Sequence, residues 1–210
     1  MKQRASNSNL RRILLRVEKP GRYTGGEYGI VRKEATNLLR FAISYPDLYE
    51  IGMSNLAIRY LYRQLNAFKG VACERVFAPA DDFEAALRAH GIPLCSLETG
   101  TPLSEFDLIG FSVGYELTLT NLLNILDLGG IHPRREDRGE DEPVVMAGGP
   151  AVTNPAPFGP FLDAVFIGEV EAVANTLMPE LVKRKREGAH RSETIAYLDQ
   201  QPYVWSSGKP

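Results

Sequence analysis

The sequence contains little cysteine. Cys73 and Cys95 are the only two in 210 residues, and 21 residues lie between them. This spacing excludes a zinc knuckle and a disulfide framework. Both cysteines lie in apolar runs, which is typical of buried free thiols. A chain without disulfides suits a reducing compartment, so we expect a cytoplasmic protein.

Long apolar runs, excess charge and histidine clusters are also missing. No apolar run approaches the roughly 20 residues of a membrane-spanning helix, and the opening MKQRASNSNL has no signal-peptide core. The net charge of −2 provides no basic field for nucleic acid. The three histidines are scattered, and neither a phosphate loop nor a Ser-His-Asp order is found. We therefore expect no membrane or nucleic-acid partner, no metal site and no catalytic residue.

What the sequence does have is a regular alternation of apolar runs and helical patterns from Leu38 onwards. The runs are LLRFAIS, VACERVFA, FDLIGFSV, PVVMAGG and LDAVFIGE. Short, nearly continuous apolar runs between helices are typical of parallel strands covered on both faces. The sequence therefore predicts an α/β fold with a doubly wound, mainly parallel sheet. The residues expected in its core are Phe41, Ile43, Ile109, Phe111, Val145 and Val165.

Two of the helical patterns carry specific expectations. The first begins at Ser54 or Asn55, either of which is a good N-cap. Its apolar stripe, expected to pack on the sheet, is Ala57, Leu61, Leu65 and Phe68. The last, from Val170 to Arg186, contains Pro179, which predicts a kink or a break.

The chain divides into three parts. Residues 1–37 form an N-terminal extension, with a helical pattern over 9–17 and a Gly- and Tyr-rich segment, EKPGRYTGGEYGIVRKE, whose alternation predicts a small hairpin. Residues 38–187 form the α/β domain. Residues 188–210 are interpreted as a tail or a linker towards a further domain.

Three turns are the candidate ligand site. Doubly wound folds bind ligands beyond the carboxyl ends of their strands, near the point where the strand order reverses. This rule selects YPDLYEIGMSN after the first strand, SVGYELTLTN after the third main strand and GGPAVTNPAPFG after the fourth. Although they are far apart in sequence, the three turns should line one crevice.

Several long segments resemble, in order, the N-terminal region of one bacterial family, the cobalamin-binding-domain radical-SAM proteins. They are VEKPGRYTGGEYG, YPDLYEIGMSNLAIRYLY, ERVFAPADDFEAALRAHGIPLCSLET, FDLIGFSVGYELTLTNLLNILDLGGI and AGGPAVTNPAPF. The resemblance extends from about Ile13 to Leu181. It implies a cobalamin-binding Rossmann-like domain with the flavodoxin-like strand order.

The same resemblance implies a partner, a radical-SAM domain joined in cis or met in trans. That domain would hold a 4Fe-4S cluster on a C-x-x-x-C-x-x-C triad and use S-adenosylmethionine. No such triad occurs in this sequence. The chain is therefore expected to be an accessory domain that is not catalytic by itself.

The resemblance also selects the residues expected at the cofactor. Cobalamin-binding relatives carry D-x-H-x-x-G after the first strand, and here Tyr49 replaces the cobalt-ligating histidine. A phenol with a pKa near 10 is a poor neutral ligand. We therefore expect no Tyr49–cobalt bond, and weak or absent cobalamin binding by the isolated domain. The predicted cofactor-binding residues are Asp47, Tyr49, Gly52, Ser112, Gly114, Gly148, Gly149 and Glu169.

Each of these residues also has a structural interpretation. Asp47 could cap the turn, Gly114 suits a tight turn, and Glu169 suits a helix N-terminus, where carboxylates are favourable. The rival hypothesis is therefore a ligand-free docking domain of the same fold that has lost cobalamin. An independent small enzyme is a third hypothesis, and the missing nucleophile and metal clusters count against it.

Overall fold

The computed structural model describes residues 10–33 and 37–206. The strands of its single sheet are β1 Leu39–Leu48, β2 Val71–Ala78, β3 Leu108–Ser112, β4 Val144–Gly148, β5 Ala164–Phe166 and β6 Val204–Trp205. Their order is β2-β1-β3-β4-β5-β6. The first five are parallel, and β6 is antiparallel to β5. The predicted doubly wound, mainly parallel sheet is thus confirmed, in the flavodoxin-like order.

Helices cover both faces of this sheet. They are α1 Tyr49–Ser54, α2 Leu56–Ala67, α3 Asp81–His90, α4 Leu119–Leu128, α5 Val170–Glu187 and α6 Arg191–Asp199. Side chains of α3 and α4 share one buried cluster with the sheet, and those of α2, α5 and α6 share another. Because successive strand residues point to opposite faces, Ala42 joins the first cluster while Phe41 and Ile43 join the second. All six predicted core residues are buried.

Helices α2 and α5 depart from their predicted details. Asn55 is the N-cap of α2, and its Oδ1 accepts a hydrogen bond from the Ile58 amide at 3.2 Å. The residues that α2 buries are Ile58, Tyr62 and Leu65, whereas Ala57 is exposed. Of the predicted stripe, Leu65 is buried and Leu61 and Phe68 pack against the same cluster, so the prediction was wrong only for Ala57 and omitted Ile58 and Tyr62. Helix α5 continues through Pro179 without a break.

The N-terminal extension contains no hairpin in its described part. Residues 10–14 are helical, within the predicted pattern, and Pro20–Arg22 form a 3₁₀ turn, but no strand occurs among residues 18–33. Gly25, Gly26 and Gly29 all have positive φ, which is incompatible with a regular ladder. Residues 1–9 and 34–36 lie outside the described residues.

The predicted tail is instead part of the domain. Helix α6 and strand β6 both fall within residues 188–210, and Leu198 and Val204 are buried against the sheet. Strand β6 covers the edge of β5 that a tail would have left open. Residues 207–210 lie outside the described residues.

A buried ion cluster fastens this C-terminal part to the sheet. Asp163, 3% exposed, accepts hydrogen bonds from Arg191 Nη2 at 2.6 Å, from Arg138 Nη1 at 3.1 Å and from the Val145 amide at 2.8 Å. Burial lowers the pKa of Arg138, and the Asp163 carboxylate opposes that shift. One carboxylate therefore joins β4, α6 and the loop that carries Arg138.

The opposite edge of the sheet is closed by a second ion pair. In edge strand β2, the amide of Arg75 donates to Glu98 Oε2 at 2.6 Å and its Nε donates to Glu98 Oε1 at 2.7 Å. The Leu97 amide also donates to the Arg75 carbonyl. Burial raises the pKa of Glu98, an effect that Arg75 opposes. The loop containing Glu98 thus satisfies the free backbone amide and carbonyl of Arg75 without a further strand.

In the described part of the chain, no helix combines the length and the apolar character that crossing a membrane requires.

Candidate ligand-binding crevice

A cavity of about 700 Å³, called the crevice below, lies on the sheet between α2 and α5. Its floor comes from β1, β3 and β4, and its walls from the two helices. The floor includes Phe41, Gly110 and Met146, and the walls include Ala57, Leu61 and Met178. Its exposed lining residues are those beyond the carboxyl ends of the strands, so the crevice opens at that edge. Its volume is within the range of roughly 300–1,000 Å³ typical of small-molecule sites.

Glycines and one serine form the floor near the opening. Ser112 and Gly148 are register partners on β3 and β4, and both line the crevice. A Cβ built on Gly148 would lie 3.6 Å from the Phe166 carbonyl oxygen, an ordinary contact, so the fold does not require glycine there. Within the described residues the Ser112 hydroxyl makes no hydrogen bond. The opening therefore offers a bare backbone surface beside an available hydroxyl.

Gly149 is required by the backbone itself. Its φ is 112°, a region that L side chains rarely adopt, and a Cβ there would lie 2.7 Å from the Val113 carbonyl oxygen. The Gly149 turn brings the end of β4 against β3, because the Val113 amide donates to the Gly148 carbonyl at 2.8 Å. Gly149 thus shapes the opening of the crevice as well as lining it.

Carboxylates lie at the opening of the crevice on the side of α5. Glu169 is the N-cap residue of α5, its side chain makes no capping hydrogen bond, and it lines the crevice together with Glu171. Both are exposed. The crevice, which is otherwise apolar, therefore has hydrogen-bond acceptors at its opening. These suit hydroxyl or amide groups of a ligand.

The other predicted site residues do not line this crevice. Asp47 belongs to β1, and its Oδ1 accepts a hydrogen bond from the adjacent Leu48 amide. Gly52 is buried in α1, where a Cβ would lie 2.2 Å from the Phe77 ring. Gly114 lies beside Tyr45, whose hydroxyl is 2.5 Å from the position of a Cβ. The predicted turn YPDLYEIGMSN is thus the end of a strand followed directly by a helix.

Tyr49 also faces away from the crevice lining. Its hydroxyl donates to Glu27 Oε1 at 3.2 Å, and its ring meets the Phe77 ring edge-on with centroids 5.9 Å apart. Burial, followed by the nearby Glu27 carboxylate, raises the pKa of Tyr49. The phenol is therefore a protonated donor to a residue of the extension. Sequence reasoning missed Glu27 because nothing local to either residue signals their contact.

Sequence reasoning also missed the helical walls of the crevice. Ala57 and Leu61 were predicted as part of the apolar stripe of α2. Ala57 is exposed and lines the crevice, and Leu61 lines it while also packing against the core. The available signal was the excess of apolar residues at the start of α2, where Leu56 and Tyr60 are apolar on positions that the core does not use. Apolar residues left over from a helix's buried stripe are candidates for a binding surface.

Exposed apolar side chains surround this edge of the sheet. They are Ile51, Leu56, Tyr60, Tyr115, Leu117 and Ile167, and we call them the apolar rim. They follow the carboxyl ends of β1, β3 and β5. Leu56 and Leu117 are 77% and 75% exposed, so they contribute nothing to the core. Among the described residues, the other exposed large apolar side chains are Leu15 and Tyr28 of the extension.

Comparison with protein families shows to which family the chain belongs. A family model described as radical SAM proteins, N-terminal, matches residues 57–206. The chain belongs to this family. The match runs from the start of α2 to the end of the described residues, and so includes both walls of the crevice, α6 and β6. No curated protein and no solved structure matches the chain.

Membership of the radical-SAM N-terminal family agrees with the radical-SAM part of the resemblance. It places the chain in the context of a radical-SAM domain, and the family description names no cofactor for the N-terminal domain. In the described residues, no group of three or more His, Cys, Asp or Glu side chains is arranged to hold a metal ion.

Proposed function

We propose that this N-terminal domain is an accessory domain that receives the nucleotide tail of cobalamin in the crevice and is not catalytic by itself. The observation that carries the proposal is the apolar crevice on the sheet between α2 and α5, open at the carboxyl edge. The Phe41 ring and the Met146 side chain lie beside Gly110 and give the floor an apolar surface that suits the ring of a base. Ser112 and Glu169 offer hydrogen-bonding groups to the polar parts of the tail.

In this proposal the protein supplies no cobalt ligand from α1. Tyr49 donates a hydrogen bond to Glu27 and does not line the crevice. Ionising the phenol would place a second negative charge beside the Glu27 carboxylate, which is unfavourable. When bound, cobalamin would supply the organometallic chemistry of its cobalt. The chain's own residues would hold the tail and keep water from it.

Titration with hydroxocobalamin tests the proposal. We expect binding weaker than about 1 µM, because no partner domain covers the corrin and the interface buried is correspondingly small. Ala57→Trp should weaken binding by tenfold or more, since the indole would fill the crevice. Ala67→Trp is the matched control, an exposed alanine of the same helix that does not line the crevice. Calorimetry and visible absorption measure both.

Three results of this titration would contradict the proposal in different ways. Equal affinity of Ala57→Trp and Ala67→Trp would exclude the crevice as the site. Submicromolar binding that Tyr49→Phe abolishes would show a Tyr49–cobalt bond. Complete absence of binding at about 1 mM would favour the alternative function, a docking domain without a ligand.

We infer further that the apolar rim docks the radical-SAM domain. Family membership supplies the context for this partner. The rim follows the carboxyl ends of the strands, the edge at which the crevice opens, and clustered exposed apolar side chains are typical of interaction surfaces. The rim alone supports docking whether or not cobalamin is bound, and it is therefore the observation that favours the ligand-free alternative.

Leu117→Asp is expected to weaken association with the purified radical-SAM domain of a longer family member. Leu117 is exposed, belongs to the rim and does not line the crevice, so its substitution leaves the proposed cofactor site intact. Burial of one leucine contributes roughly 1.5–3 kcal/mol, which corresponds to about tenfold or more in the dissociation constant. Leu15→Asp, at an equally exposed leucine of the extension, should leave the constant unchanged. If the two substitutions change the dissociation constant equally in sedimentation equilibrium, the rim is excluded as the docking surface.

A further inference from the structure

A second cavity, of about 350 Å³, is separate from the crevice and shares no lining residue with it. The helical residues 10–14 and the turn at 20–24 form one side, and α3 with residues 93–100 forms the other. We call it the extension cavity. It exists only because the N-terminal extension packs over the domain, where the Tyr23 ring stacks on Phe83 with centroids 3.8 Å apart.

Three arginines line the extension cavity, Arg11, Arg22 and Arg32; Arg11 and Arg32 are exposed and Arg22 is half-buried. Arg22 is paired with Glu50 at 2.9 Å. Arg32 donates its Nε to the Glu98 carbonyl at 2.8 Å, which fixes the side chain and leaves both Nη groups available. Within the described residues, neither Arg11 nor Arg32 has a carboxylate within 4.0 Å.

The acidic residue on the cavity wall does not neutralise this charge. Glu98 is buried and commits both carboxylate oxygens to Arg75. Arg75 also lies 3.7 Å from Glu27, so the lining arginines and Arg75 are four cations beside the three carboxylates Glu27, Glu50 and Glu98, and the extension cavity keeps an excess of positive charge. Its remaining wall is largely apolar, and a low-dielectric wall strengthens the attraction between guanidinium groups and an anion. The apolar lining includes Leu14, Phe83, Leu87 and Leu94.

We propose that the extension cavity binds a small organic anion, with its carboxylate or phosphate group on Arg11 and Arg32 and its apolar body against α3. Arginine suits this role because its planar fork of donors matches the geometry of both acidic groups. The apolar wall selects an anion with a hydrocarbon or aromatic body over an inorganic ion. The proposal is independent of cobalamin and of the crevice.

Calorimetric titration with 1-naphthyl phosphate tests the proposal, with neutral 1-naphthol and inorganic phosphate as comparison ligands. We expect 1-naphthyl phosphate to bind at least tenfold more tightly than either. The double substitution Arg11→Gln and Arg32→Gln should weaken its binding by tenfold or more. The control removes two exposed arginines that do not line the cavity, Arg12→Gln and Arg63→Gln, and should change binding less than twofold.

The two cysteines locate the bound anion without any substitution. Cys95 lines the extension cavity, whereas Cys73 is buried among residues of the opposite face of the sheet. Burial raises the pKa of Cys95 to about 11, so alkylation by iodoacetamide is followed at pH 9.5, where some thiolate is present. Bound 1-naphthyl phosphate should slow alkylation of Cys95 at least fivefold and leave Cys73 unchanged.

The proposal is overturned if 1-naphthol binds as tightly as its phosphate, if both double variants behave alike, or if Cys95 is not protected. Arg11→Gln alone retains the contact of Arg32 with the Glu98 carbonyl. If circular dichroism shows that the double variant is unfolded, the affinity of this single variant for 1-naphthyl phosphate is measured instead. Unchanged affinity would then overturn the proposal.

Discussion

Asp163→Ala is expected to destabilise the domain by about 3–5 kcal/mol, because it leaves a buried charge without its partner. Arg138 has a fully buried side chain, and Asp163 is the carboxylate with which it pairs. The substitution also removes the acceptor for the Val145 amide in the central part of the sheet. For a chain of this length, such a loss lowers the melting temperature by roughly 6–20 °C. Urea unfolding followed by circular dichroism measures the change.

Asp127→Ala is the control for this prediction. Asp127 pairs with Arg88 at 2.7 Å, but both side chains are about half exposed. Exposed pairs contribute about 0–1 kcal/mol, since water and salt screen the charges. A similar loss of stability in the two variants would show that the Asp163 cluster does not hold the C-terminal part on the sheet.

Gly52→Ala is expected to destabilise the domain by about 1–3 kcal/mol through overpacking. A methyl group at this position would lie 2.2 Å from the ring of Phe77, which is itself buried. Alanine is ordinarily favoured over glycine within a helix by roughly 0.5–1 kcal/mol, so a net loss must come from the clash. Gly148→Ala, where the new Cβ would meet only an ordinary contact, should change stability far less.

A double substitution separates packing from ligand binding at Gly52. Phe77→Leu makes room for the methyl group, so Gly52→Ala should cost little or nothing in that background. If Gly52 instead served a cofactor, Gly52→Ala would keep its stability and lose hydroxocobalamin binding. Denaturation and titration of the same four proteins distinguish these outcomes.

The candidate site was predictable only in part. Ser112, Gly148, Gly149 and Glu169 follow strands β3, β4 and β5, and the structure brings them to the crevice. The switch-point rule selects such positions because the carboxyl ends of parallel strands meet at one edge. The same rule selected the turn with Asp47, Tyr49 and Gly52, and the resemblance implied that these residues bind the cofactor, but they do not line the crevice. Asp47 accepts from the Leu48 amide, Tyr49 donates to Glu27, and Gly52 leaves no space for a Cβ beside the Phe77 ring.

The helical details show a similar limit. Spacing at the helical period indicates that α2 has an apolar face, but it does not say which neighbour that face meets. The structure buries Ile58 and Tyr62, and leaves Ala57 exposed at the crevice. Alternation in the extension favoured a hairpin, and positive φ at its glycines excluded one. Both errors arise because local pattern carries no information about distant contacts.

The sequence by itself determined the class of fold, the parallel sheet and its buried residues. Continuous apolar runs can be satisfied only by cover on both faces, a requirement local to each strand. Only the tertiary structure decided that a crevice separates α2 from α5, that Tyr49 donates to Glu27, and that residues 191–205 complete the sheet. These features depend on how separate elements pack. That packing is set by the summed contacts of residues far apart in the chain, which no single segment encodes.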